Sequence, residues 1–207
     1  ALLALGFFCL GLPLTARADG DTTDRARKFV KYHETRFRPL DLAGNLAWWD
    51  AQNSGNKDDF KKKEEAQNRI DEFLADPKLF KEVKDLREHR KDIDDKVLAR
   101  AIDVLYLQYL EKQVDTALLK KITAKANVIE KAFNEYRAKV DGKEMTDNDV
   151  RAVLKGSKDS DRLKAVWDGS KGVGAVIEKD LKELVKLRNE AAVKLGFKNY
   201  HELQLYL

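Results

Sequence analysis

The chain has three histidines, its scarcest chemistry-bearing side chains, and two of them stand beside a glutamate: His33-Glu34 and His201-Glu202. A His-Glu pair on a helix is half of the arrangement that holds zinc and activates its bound water. The other half is a second histidine one turn further on, so that both imidazoles share a face and the glutamate stands beside the water. Phe37 and Leu205 occupy those positions, so neither pair is that motif. His89 lies among Arg87, Glu88 and Arg90 and reads as a solvated side chain.

Other candidates are weighed the same way. Gly169-Ser170-Lys171-Gly172-Val173-Gly174 has glycines and a lysine, as phosphate-cradling loops do, but its spacing is wrong for one and no strand precedes it. Close approach of another segment, or a kink, accounts better for glycines inside a helical pattern. Trp48-Trp49-Asp50 is the densest aromatic spot. A tryptophan pair can line a groove for an extended ligand, but core packing of Trp49 with Trp48 at its rim is the preferred reading. The run Lys61-Lys62-Lys63-Glu64-Glu65 reads as a solvated helix face. Serine, aspartate and histidine show no order that marks a nucleophilic triad. No catalytic, cofactor-binding or metal-ligating residue is assigned within the chain.

The elements that carry these residues are helical. Charged residues make up 37% of the 207 and prolines number three, a composition suited to long amphipathic helices. The strongest pattern runs from Ser160 to Tyr206, with Leu163, Val166, Trp167, Val173, Ile177, Leu181, Leu184, Ala191, Ala192 and Leu195 on one stripe. Gly196 stops it, and Asn199 with Glu202 predicts a capping box for a new helix. Upstream, Asp24–Phe37 predicts a helix that Pro39 interrupts, and Leu40–Asp50 resumes it with Leu42, Leu46 and Trp49 on one face. After the loop Asn53-Ser54-Gly55-Asn56 come helices over Asp58–Leu74, from the Asp76-Pro77 cap, over Asp92–Asp115 with Val97 on its apolar face, and over Leu118–Val140. Asp141-Gly142-Lys143 predicts a turn, and Thr146 with Asp149 caps a short helix ending near Gly156. No convincing strand or hairpin pattern is present. The expected fold is all-α, long antiparallel helices in one domain.

Basic and acidic residues are interleaved, net +4, with no basic block or basic-aromatic stripe, so nucleic acid is not an expected partner. Ala1–Leu14 is an apolar run followed by Ala16-Arg17-Ala18, which predicts a secretory signal over residues 1–18, itself lacking its start. Its length argues against stable membrane insertion, and a secreted or periplasmic location is expected. The single cysteine, Cys9, falls in that segment. The remainder is therefore expected to hold together by packing, without a disulfide.

Three segments taken together carry a resemblance. They are Gly44-Asn45-Leu46-Ala47-Trp48-Trp49-Asp50; Ser160-Asp161-Arg162-Leu163-Lys164-Ala165-Val166-Trp167 with Ser170-Lys171-Gly172-Val173-Gly174; and Leu187-Arg188-Asn189-Glu190-Ala191-Ala192 with Leu195-Gly196-Phe197-Lys198-Asn199-Tyr200. In this order they resemble the N-terminal part of bacterial zinc metallopeptidases of the angiotensin-converting-enzyme family, relatives of peptidyl-dipeptidases and thimet-type oligopeptidases. The resemblance implies that residues 19–207 are the N-terminal helical lid region of a channel-type fold, and that the partners are peptide substrates. It also implies a catalytic zinc, held by two histidines of an HExxH helix and a later glutamate, with the motif glutamate as general base. Those residues lie downstream of the matched region and none exists here, so no site residue is carried over. The chain is expected to be a fragment, inactive and zinc-free by itself. The alternative is a stand-alone secreted helical binding or scaffold protein, which would explain the missing motif without truncation.

Overall fold

A computed structural model describes residues 18–207. The apolar run Ala1–Leu14, Cys9 and Arg17, on which the secretory-signal reading rests, lie outside the described residues. From residue 18 on, the fold is all-α with one small hairpin.

Helix α1 runs from Ala18 to Ser54 without a break, with Pro39 inside it. This corrects the interruption expected at Pro39. A proline in a helix forfeits one backbone hydrogen bond, and here Pro39 sits on the exposed side, while Ala26, Phe29, His33 and Ala51 of the same helix are buried. Packing of that face outweighs the lost bond. A two-residue turn, with Gly55 at φ 66°, reverses the chain into α2, Lys57–Leu74. Asn56 caps α2 by accepting from the Asp59 N–H at 2.9 Å. Asp76 caps α3, Pro77–Glu88, with Pro77 in the first turn, where its missing N–H costs nothing.

A 3-10 turn over Arg90–Asp92 and the cap Asp95 precede α4, Lys96–Glu111. The helix is therefore shorter than its apolar pattern implied. Val97, expected on the inner face, is 80% exposed; Leu98, Ile102, Leu105 and Tyr109 form that face. Together with Ala26 and Phe29 of α1, Leu74 of α2, and Val83 and Leu86 of α3, they make the main core.

Helix α5, Thr116–Glu135, stops five residues short of the expected Val140. Tyr136 turns extended, and β1, Ala138–Val140, pairs antiparallel with β2, Lys143–Met145. The sequence reading found no hairpin. Its strands are too short to show alternation, but Asp141-Gly142 carried the signal: both residues have positive φ, 53° and 75°, as the tight two-residue hairpin turn requires. Helix α6, Asp147–Gly156, starts on the expected Thr146–Asp149 capping box. Val140, Val150 and Val166 join Ala138 in a second, smaller core.

The long stripe after Ser160 is two helices, α7, Ser160–Lys171, and α8, Val173–Lys194, divided at Gly172. The glycines account for the division. A Cβ on Gly169 would stand 2.9 Å from the Lys139 carbonyl oxygen, and one on Gly172 would overlap the Tyr136 hydroxyl. Tyr136 donates that hydroxyl to the Gly169 carbonyl at 2.6 Å. Close approach, as expected, explains these two; Gly174 has open space around it. Gly196, at φ 88°, ends α8, and the Phe197 N–H returns to the Ala192 carbonyl at 3.0 Å. Asn199 then caps α9, Tyr200–Tyr206. The capping box forms only in part, because Glu202 accepts from the Lys198 N–H at 2.8 Å rather than from Asn199.

Helix pairs connect in series: α3 and α4 with α1, α1 with α2, α2 with α5, α5 with α8, and α8 with α9. Arg25 on α1 bridges to Glu82 and Asp85 on α3, and Lys125 on α5 bridges to Asp180 and Glu183 on α8.

Candidate functional site

The histidines do not converge. His33 is buried on α1, with Nδ1 3.0 Å from the Tyr109 hydroxyl and its ring stacked on Phe37 at 4.9 Å. Burial lowers its basicity and Glu34 opposes this only in part, so the imidazole is held neutral as a core side chain. His89 is exposed, beside Asp85, and His201 is exposed on α9. Among the described residues no three His, Cys, Asp or Glu side chains gather where one metal ion could sit. A structural zinc takes about four ligands and a catalytic one about three, so these residues do not fit the group.

The tryptophans are not core. Trp49 is 62% exposed and Trp48 is 48% exposed, which corrects the packing reading. Both lie past the main core, in the last third of α1. Trp48 donates its indole N–H to Glu130 on α5 at 3.1 Å. It thereby closes one end of a cavity of about 340 Å³.

Helices α2, α5, α8 and α9 wall this cavity, and the end of α4 closes the base. Leu119, Ile122, Ala126, Ala191 and Leu203 supply apolar surface, and charged side chains face it from both sides. Lys63 and Glu64 belong to the run read as a solvated face. Lys61 and Lys62 are solvated, but Lys63 and Glu64 are half-buried against the cavity. Helical geometry explains the split, since neighbours in sequence point about 100° apart.

At the base, Asp71 is 4% exposed. Its carboxylate accepts from Lys112 Nζ at 3.2 Å, Thr123 Oγ1 at 3.1 Å and Gln67 Nε2 at 3.1 Å. Burial alone would strip the Lys112 proton more easily. The charges of Asp71 and Glu111 and their hydrogen bonds outweigh it and hold the ammonium above the usual lysine range. At the Trp48 end, Glu130 accepts from Lys63, Gln52 and Trp48. Asn127, buried between the two groups, donates Nδ2 to the Phe60 carbonyl at 3.0 Å and to Glu64 Oε2 at 3.3 Å. Its own carbonyl oxygen is buried without a partner among the described residues. Arg188 enters from α8 with its guanidinium 5.1 Å from the centre of the Tyr200 ring.

Sequence reasoning missed this site because its members are spread from Trp48 to Leu203. One signal was available: Asp71 sits inside the apolar stripe Ile70, Phe73, Leu74 of α2, where an unpaired carboxylate would be costly.

No helix among the described residues is long and apolar enough to cross a membrane. The peptidase M2 family model, angiotensin-converting enzyme, matches residues 20–206. No curated protein matches the chain.

Proposed function

The chain belongs to the angiotensin-converting-enzyme family of peptidases, and on that premise we propose that it is the N-terminal helical part of a secreted or periplasmic zinc-dependent enzyme that hydrolyses peptides in the manner of a peptidyl-dipeptidase. Residues 1–18 would direct export and residues 19–207 would form the lid region of a larger peptidase domain. The carrying observation is the family match over residues 20–206, in a chain with no HExxH. The zinc ligands would come from residues outside this chain. Its own histidines serve elsewhere: His33 in packing, His89 and His201 in solvent.

The surface supports a covering partner segment. Leu42, Leu46 and Trp49 on α1 and Val176, Leu181 and Val185 on α8 are exposed. Apolar rows of this kind mark surfaces that other protein covers. The scaffold's contribution would be to bound a channel with rigid, cross-bridged helices, so that only extended peptides reach the reacting groups.

The test is to express the complete reading frame that contains this chain, and the chain alone, and to follow release of dipeptides from short peptides with and without a chelator. Chelator-sensitive hydrolysis by the long product and none by the chain is the expected result. A native product that ends with this chain and lacks zinc-dependent hydrolysis would remove the reading and leave a helical binding protein.

A further inference from the structure

The charged cavity has two groups of opposite sign left uncommitted. Lys63 is paired with Glu130, and Lys112 with Asp71 and Glu111. Arg188 makes no ion pair among the described residues; its only contact of this kind is the face of Tyr200. Stacking uses the guanidinium face and leaves its in-plane N–H donors free for a carboxylate. The Tyr200 platform is fixed, because its backbone N–H donates to Asn189 Oδ1 at 2.8 Å at the start of α9. Glu64 makes no ion pair among the described residues either, and the Asn127 amide at 3.3 Å holds its carboxylate at the wall. Neither charge is neutralised by another side chain among the described residues, so each can meet a ligand group of opposite sign.

The rest of the lining narrows the ligand. Three cationic side chains meet four carboxylates there, so a polyanion such as a nucleotide is disfavoured. Leu119, Ile122 and Leu203 offer an apolar wall. The volume of about 340 Å³ lies at the low end of small-molecule sites. Asn127 adds a buried acceptor with no partner among the described residues, a further donor-seeking group at the same wall.

We propose that this cavity binds small apolar zwitterions, free amino acids or short peptides, with the ligand carboxylate on Arg188 and its ammonium directed to Glu64. The site is built wholly from this chain and does not rest on the peptidase reading.

Calorimetric titration of the full chain with leucine, alanyl-leucine, leucinamide and N-acetyl-leucine tests it. Leucine or alanyl-leucine should bind saturably at one site, the tighter of the two identifying free amino acids or peptide termini as the source. Leucinamide and N-acetyl-leucine each lose one charge and should bind about tenfold or more weakly, the loss expected when one charge-assisted pair is removed. Arg188→Gln should weaken leucine binding by a similar factor while circular dichroism keeps its helical signal. Should that variant not fold, the comparison of acid with amide decides by itself. Absence of saturable binding by both zwitterions, or leucinamide binding as well as leucine, would overturn the proposal.

Discussion

His33 and Tyr109, 76 positions apart in sequence, share a buried hydrogen bond of 3.0 Å that joins α1 to α4. Phe37, Phe73 and Phe29 surround the pair, with His33–Phe73 centroids at 5.8 Å and Phe29–Tyr109 at 6.0 Å. Glu34 is the charged group that acts on it. Burial pushes the Tyr109 hydroxyl up, so it stays protonated.

This pair makes stability depend on pH in one direction. The folded imidazole is less basic than the unfolded one, whose pKa is about 6.5. Above that value both states are neutral and the contribution is intact. As pH falls through it the unfolded chain takes up the proton first, so stability drops until the folded imidazole titrates too. Urea unfolding midpoints should fall between neutral and mildly acid pH, and His33→Gln should flatten that fall. An equally steep fall in the variant would assign it to other groups.

The buried Lys112–Asp71 pair predicts an asymmetric response. Lys112→Met strands a nearly inaccessible carboxylate and should cost about 3–5 kcal/mol. Adding Asp71→Asn should recover part of that loss. A double-mutant cycle from denaturant titrations measures the coupling. Costs that simply add would mean that the two groups do not depend on each other.

The three glycines of the α7–α8 junction should behave differently. Gly169→Ala drives a Cβ against backbone, and Gly172→Ala drives one against the Tyr136 hydroxyl; each should lower stability by about 1–3 kcal/mol. Gly174→Ala meets nothing within 4 Å and should be neutral or stabilising by up to about 1 kcal/mol. Thermal unfolding of the three variants checks the order. A destabilised Gly174→Ala would contradict the open space seen there.

Pro39 is tolerated rather than required. Its side chain is exposed within α1, so Pro39→Ala should restore a backbone donor and stabilise by about 1–3 kcal/mol. A loss on substitution would show that the shape imposed by Pro39 is needed for α1 to fit α2.

Legibility in the sequence followed the range of the interaction. The Asp76-Pro77 start, the Thr146–Asp149 box and the Gly196 stop were all readable. Each is set by atoms within one helical turn, and each is present. The family was legible too, because the three segments that carry the resemblance lie in one order along the matched residues.

Tertiary structure decided what depends on contacts between distant residues. It kept α1 whole through Pro39 because a buried face outweighs one lost hydrogen bond. It divided α7 from α8 at Gly172, where Tyr136 from another element takes the space a side chain would need. It left Trp49 exposed and Val97 outside the core, since periodicity gives a face but not what covers it. It also brought Trp48, Glu64, Asp71, Lys112, Asn127 and Arg188 to one cavity. No local rule links positions so far apart. Only the packing of α2, α5, α8 and α9 sets which charges are paired and which remain open to a ligand.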